Sequence, residues 1–377
     1  MTHYTSFQGA DSNVDPATLG LDLGTGKFGL PEIDFNGDLE NLGASAYSIP
    51  RGRVSQTFQW LDHFTWTRSR HVFKFGGEFR HISVSSYNDN LERGLLDVDT
   101  DGSVADDLYA FFTGDIYASA YTGNTQRTTY NDGASLFVQD DYKVTGNLTA
   151  NLGVRWEYFG PLSEKDNLIS NLGSDGLLHQ VGSGIGSAWS RKLTNFSPRV
   201  GLAWQTSPGT VLHAGYGLYD DYIPQDVITN NYTNVAGITT NPIGPKPVLP
   251  LSFDGAAWAS GGTAAFSPVT SGPYDIFVTS RNFTTPYVQS WNLNVQQSLA
   301  KAASLEIGYV GSKGTHLTRV YDVNQTDADG NFPDSNYEAM DTLATNAGSI
   351  YHALQASLRA RMEGPDGFCQ LHLGQVH

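Results

Sequence analysis

The sequence predicts an all-β chain: an antiparallel transmembrane β-barrel, incomplete at about nine strands of a larger barrel, with long extracellular loops. Three observations lead there. The first is strict alternation. In residues 148–158, Leu148, Ala150, Leu152, Val154, Trp156 and Tyr158 share one parity, while Thr149, Asn151, Gly153, Arg155 and Glu157 share the other. A strand turns successive side chains to opposite faces, so this segment has one apolar face and one polar, charged face. The second is that short turns alternate with connections tens of residues long. The third is strand length, about 9–12 residues, which suits a tilted membrane-crossing strand better than the ~5–6 usual in soluble sheets.

The elements follow in order. Residues 1–50 are rich in Gly, Asp, Asn and Pro without a sustained period and read as loop. A strand over 54–67 sets Phe58, Trp60, Phe64 and Trp66 against Gln59, His63 and Thr65. After a turn near 68–70, the strand 72–83 sets Phe73, Phe75 and Phe79 against Lys74, Glu78 and Arg80. Opposite charges on one face can pair along a polar wall. A loop over 87–131 leads to a strand at 135–144, a turn at 145–147 and the strand 148–158. Beyond a loop at 160–194, residues 197–205 alternate Val200, Leu202 and Trp204 with Arg199, Ala203 and Gln205. Pro198 sits at that strand's start, where a missing N–H is tolerated. The turn 206–209 returns the chain as 210–219, and the longest loop, 220–282, follows. Strands at 286–299 and 304–311 flank a turn at 300–303, and a loop at 312–349 precedes the last strand, 351–361. Three regions result: 1–53 as an extracellular loop region, 54–361 as the partial barrel, and 362–377 as an aberrant or truncated tail where alternation stops.

Structureless loops this long argue against an ordinary soluble domain. Outer-membrane barrels are the exception, with short turns on one side and long loops on the other. Trp66, Trp156, Tyr158, Trp204, Tyr219 and Tyr309 lie near strand ends, where interfacial girdles sit. A soluble β-sandwich with an aromatic core shares the alternation and stands as the alternative.

Composition narrows the function. Lys and Arg number 22 against 38 Asp and Glu, for a net charge of −16, and nothing concentrates cations for phosphate contacts, which excludes nucleic acid as a partner. No run of ~20 apolar residues marks a membrane helix. A mean hydropathy of −0.31 is compatible with a membrane barrel, because alternating strands average out. Cys369 is the single cysteine, which excludes an internal disulfide. The first residues have neither a basic nor an apolar leader pattern, so an exported protein is expected to begin upstream.

Several segments resemble the barrel of TonB-dependent outer-membrane receptors: "RHVFKFGGEFRH" (70–81), "LFVQDDYKVTGNLTANLGVRWEYFGPL" (136–162), "NFSPRVGLAWQ" (195–205), "TPYVQSWNLNVQQSL" (285–299) and "IGYVGSKGTHL" (307–317). The similarity is to the Oar-like group, which carries a carboxypeptidase-regulatory-like N-terminal domain. It covers most of residues 54–361 in the family's order. The resemblance implies the cell outer membrane, contact with its lipid, no cofactor and no enzymatic activity. It implies uptake of an unknown large ligand met at the extracellular loops, driven by the TonB complex through an N-terminal plug region missing here. An outer-membrane protein for adhesion or surface organisation without transport is the runner-up, and a non-functional gene fragment is a further alternative.

Site motifs are sparse. "DVDTDGSVADDL" (97–108) imitates a calcium loop, with Asp97, Asp99 and Asp101 at positions 1, 3 and 5 and Gly102 at position 6. Its twelfth position holds Leu108 instead of a bidentate Glu, and a solvated acidic loop explains the run equally well. "GLDLGTGKFG" (20–29) lacks both the spacing and the Ser/Thr of a phosphate loop. Asp140 and Asp141 are strand neighbours, so they face opposite sides and do not form a catalytic pair. Neither metal-binding histidine spacing nor a nucleophile signature is present.

The alternation makes a direct prediction. Val154→Arg is expected to destabilise the assembled barrel by ~2–4 kcal/mol if the position lies near the midplane, and Gly153→Arg by less. Membrane-impermeant labelling of single cysteines at positions 152 and 153 checks it, and equal reactivity at the two would overturn the assignment of faces.

Overall fold

The computed structural model describes residues 2–5, 14–22, 29–35, 39–43, 45–46, 51–88, 91–98, 100, 102–122, 126–222, 225, 249–262, 264–268, 273–300, 303–361 and 368–376. Ten long strands form the wall: β1 (Arg51–Arg68), β2 (His71–Asn88), β3 (Arg127–Lys143), β4 (Leu148–Phe159), β5 (Asn195–Ser207), β6 (Thr210–Asp220), β7 (Tyr287–Ala300), β8 (Ala303–Asp322), β9 (Tyr337–Arg361) and β10 (Phe368–Val376). Each pairs antiparallel with the next in sequence. All nine expected strands are there. The 13-stranded sheet that they anchor does not close on itself among the described residues.

Tight turns explain the hairpins. Ser69, between β1 and β2, has φ 56, and Gly209, between β5 and β6, has φ 88. Left-handed residues in two-residue loops match the twist of the strands that they join.

The structure departs from the sequence reading at several places. β8 and β9 run well past 304–311 and 351–361, because register shifts around Gly314, Leu317 and Arg319 break the period of two that marks a strand. His316, with φ 56, sits in that irregularity. Residues 368–376, read as part of an aberrant tail, add β10 to the edge of β9, from Phe368 opposite Arg361 to Val376 opposite Ala353. An open strand edge offers unpaired N–H and C=O groups, which recruit a partner whatever its side-chain pattern. Within 1–50, Thr2–Thr5 pairs with β1 in the same way.

Register fixes the faces. Phe64, Phe75, Val138, Val154 and Pro198 lie side by side across β1 to β5. Rings meet in tilted pairs along this outer face: Trp60–Phe79 at 5.7 Å, Phe64–Phe75 at 5.0 Å and Trp66–Phe73 at 5.6 Å between centroids. Trp60 and Leu136 are each 60% exposed, so the apolar side of the wall covers no protein core. A sandwich would bury it; this decides against that alternative. Tyr219 is a correction to the girdle, because it shares the polar face with Arg199, whose guanidinium carbon lies 4.5 Å from its ring centre.

The buried cores lie in the long connections, which are not structureless. Residues 160–194 and 274–286 enclose Leu162, Ile169, Trp189, Phe277 and Phe283 with Leu343 of β9. Strand Tyr274–Thr279 runs parallel to the start of β9, with Ile276 to Thr279 all buried. A strand buried on both sides reads as a continuous run rather than an alternation, which hides it from a period-two search. A second core joins Leu96 and Ala120 to Ile33, Phe253 and Trp258. Here six short strands form a separate sheet beside the helix Val104–Thr113, on which Ser103 and Asp106 pair at 2.7 Å.

Gly76 in β2 shows how a missing side chain shapes the wall. A Cβ there would lie 2.3 Å from the Asp62 carbonyl, 2.8 Å from His63 and 3.0 Å from Phe137. Its absence lets the His63 and Phe137 rings, from β1 and β3, meet edge to face at 5.3 Å above β2. Gly76→Val is therefore expected to cost ~1–3 kcal/mol through overpacking. Gly146→Val, in a turn with nothing within 4 Å, is expected to be milder. Urea unfolding midpoints in detergent compare the two; an equal effect would overturn the packing argument.

Candidate functional site: the inner wall and its cap

The polar parity of β1 to β4 converges on Arg155. Its Nε lies 2.8 Å from Glu157 Oε1, its Nη2 donates to Ser135 Oγ at 2.7 Å, and Nη2 is 3.7 Å from Glu78 Oε2. Glu78 Oε1 accepts from Gln59 Nε2 at 2.9 Å and faces Arg80 Nε at 3.5 Å. Glu78, Ser135 and Glu157 are direct register partners, and this is why residues far apart in sequence form one network. Nearer the short turns, Lys74 Nζ meets Asp141 Oδ2 at 2.7 Å. Asp140, on the other face, pairs with His71 at 2.7 Å, and the His71 ring stacks on Tyr142 at 4.2 Å. The two aspartates thus face opposite sides, as strand geometry requires, and each is tied to a basic partner.

Farther along the wall the inner face is sparsely filled. One register row runs Gln139, Gly153, Arg199, Gly217, Ser290, Ser312, and the next runs Asn151, Gly201, Gly215, Asn292. A recess of about 520 Å³ opens over these rows. Small residues leave the volume, and amides, hydroxyls and one guanidinium line it.

The packed long connections, with their own buried cores, form a cap that is held by buried amides. Asn171, fully buried, donates from Nδ2 to the Thr279 carbonyl at 2.8 Å and accepts from the Leu172 N–H at 2.9 Å. Asn324 donates to the Tyr337 carbonyl at 2.9 Å and accepts from the Asp334 N–H at 2.8 Å. Buried polar side chains that satisfy backbone groups this way fix loop conformations. Surface carboxylates are likewise engaged. The His179 ring beside Asp175 holds that carboxyl below its usual range, and the Asn331 N–H does the same for Asp327.

Of the acidic run at 97–108, Asp97 ends the strand Leu95–Asp97, opposite Asp34 and Tyr117. Asp99 and Asp101 lie outside the described residues, as do residues 23–28 of the Gly-rich segment and the loop stretch 226–248. Asp106 accepts from the Ser103 N–H at 2.8 Å, which lowers its carboxyl from the usual range, and Asp107 accepts from Thr100 Oγ1 at 2.6 Å. Among the described residues no group of three or more His, Cys, Asp or Glu side chains is gathered to hold a metal ion. Sequence reasoning missed the Arg155 network and the Arg199–Tyr219 stack. Polar parity flagged Arg155 and Arg199, but only register names their partners.

An antiparallel wall with an exposed apolar outer face, an ionic inner face and short turns at one end defines a membrane β-barrel segment. The chain belongs to the outer membrane beta barrel domain family, whose model matches residues 2–366. Its place is the outer membrane, and its outer face meets lipid. The fold is similar to that of the outer membrane transporter YddB from Escherichia coli, at 14% identity and TM-score 0.51 over 83% of this chain and 32% of that one. Similarity extends to the FrpB iron transporter from Neisseria meningitidis, at 9% identity and TM-score 0.46 over 88% and 38% of the two chains. It also extends to the siderophore receptor PirA from Acinetobacter baumannii, at 8% identity and TM-score 0.41 over 89% and 38%. The chain spans about a third of the length of these chains. No curated protein sequence matches it.

The ionic network predicts a coupling. Arg155→Met leaves Glu157 and Glu78 half-buried without their shared cation and is expected to cost about 1–3 kcal/mol. In a double-mutant cycle with Glu157→Gln, the pair is expected to couple by roughly 0.5–3 kcal/mol. Additive losses in urea unfolding would show that the network is incidental.

Proposed function

We propose that this chain is part of the barrel of a TonB-dependent, Oar-like outer-membrane receptor that binds and takes up large substrates. The strands from Arg51 to Val376 supply barrel wall, the residues before them belong with the extracellular loops, and the TonB complex acts through an N-terminal plug outside this sequence. The observation that carries the reading is the inner wall: polar, ionically cross-linked and hollowed over glycine rows, where a stability core would be apolar and filled. Loops outside a barrel carry recognition while the wall carries stability, and the cap's own buried cores give those loops a fixed shape.

Two measurements test it. In cells producing the complete protein, fluorescent peptides, oligosaccharides and ferric chelates are offered as a panel. Periplasmic accumulation of one of them, lost when TonB is deleted, is the expected result. Unchanged uptake together with lost cell–cell adhesion would favour the adhesion reading instead. For topology, protease added to intact cells is expected to cut within the long connection 220–282 before either short turn, 206–209 or 300–303. The reverse order would place the long loops in the periplasm, away from any external ligand.

A further inference from the structure

The polar face of β2, β4 and β5 carries four cationic side chains whose surroundings differ. Lys74, Arg80 and Arg155 each have a carboxylate within ion-pair distance: Asp141, Glu78 and Glu157. Arg199 has none among the described residues. It is held instead by Tyr219, with the guanidinium carbon 4.5 Å from the ring centre. Stacking keeps the planar group oriented while leaving its edge N–H donors unspent. Its register neighbours are Gly153 on one side and Gly217 on the other, which bring no side chain of their own; Gln139 leans toward the first and Tyr219 over the second.

The recess of about 520 Å³ above it is lined by neutral amides and hydroxyls, including those of Asn151, Ser290 and Asn292, together with apolar and aromatic residues such as Val310 and Tyr351, and by no carboxylate. That volume lies within the range of small-molecule sites, ~300–1,000 Å³. In a chain of net charge −16, this is a pocket of positive sign with hydrogen-bond donors around it. Uncommitted guanidinium donors match the two oxygens of a carboxylate or phosphate in a bidentate arrangement.

We infer that Arg199, stacked on Tyr219, is an oxyanion subsite on the lumen wall that receives a carboxylate or phosphate group of the transported ligand. The inference rests on the uptake reading for the identity of the occupant, and it narrows the substrate class to compounds bearing such a group. Gln139, in the same register row, donates one N–H to Asp141 at 2.8 Å, which orients its amide beside the recess.

The test is a direct binding measurement on the full chain in detergent micelles, labelled with ¹⁵N-arginine and observed by NMR. The Arg199 side-chain signal is identified by its loss in Arg199→Gln, and where that variant does not fold, by its loss in Arg199→Lys. Probes are inorganic phosphate, glutarate and neutral glutaramide at constant ionic strength. Saturable movement of the Arg199 signal with phosphate and glutarate is expected, with glutaramide inert and the Arg80 and Arg155 signals nearly still. A Tyr219→Leu variant, which removes the stack and keeps the charge, is expected to weaken binding by about tenfold. Unsaturable shifts common to all arginines, or equal shifts with glutaramide, would overturn the subsite. A response to phosphate alone assigns a phosphate ligand, and one to glutarate alone a carboxylate. Saturable binding without uptake in cells would keep the subsite and discard the transport reading. Uptake without any saturable anion response would do the reverse.

Discussion

In lipid, a backbone N–H or C=O has no water to bond, so each must find a partner within the protein. That requirement orders the rest of this structure. It is met by strands that bond their sequence neighbours in antiparallel register from β1 to β10, interrupted by local shifts such as those after Gly314. Once register is set, the faces are set too, because a slip of one residue would exchange every side chain between lipid and lumen. The paired columns, such as Phe64–Phe75 outside and Glu78–Ser135 inside, are consequences of that pairing.

The two faces are stabilised by different means. Outside, large aromatic and aliphatic side chains stand exposed and in contact with one another, a surface that costs free energy in water and gains it in lipid. Inside, ion pairs link side chains from several strands, and Glu78 and Arg155 join three of them. Glycine gives the inner face its shape. At Gly76 the missing Cβ lets rings from strands on either side touch, and at Gly153, Gly201 and Gly215 it leaves the hollow above Arg199.

The cap follows the rules of soluble proteins. Apolar residues from distant loop segments cluster around Leu343, Phe277 and Trp189, and buried asparagines satisfy backbone groups that no sheet serves. The parallel strand Tyr274–Thr279 ties this cap to the extension of β9, so wall and cap share hydrogen bonds as well as a core. Loops organised in this way present a defined surface instead of an ensemble.

Alternation at Leu148 to Tyr158, and its echoes at Trp60, Phe75, Val200 and Leu293, was enough to determine the wall strands, their order and their two faces, because side-chain parity is a local property of a strand. Loop lengths determined which ends carry the turns. Legibility failed where locality fails. The bulges after Gly314 hid the upper halves of β8 and β9, burial on both faces hid Tyr274–Thr279, and edge pairing made a strand of residues 368–376 despite their pattern. Tyr219 carried the composition of a girdle residue, yet its parity and the nearness of Arg199 put it in the lumen. The sequence by itself determined that this is an outer-membrane wall with one face for lipid and one for water. Only the tertiary structure decided that Arg155 has its carboxylates and Arg199 does not, because ion pairing depends on neighbours brought together by register.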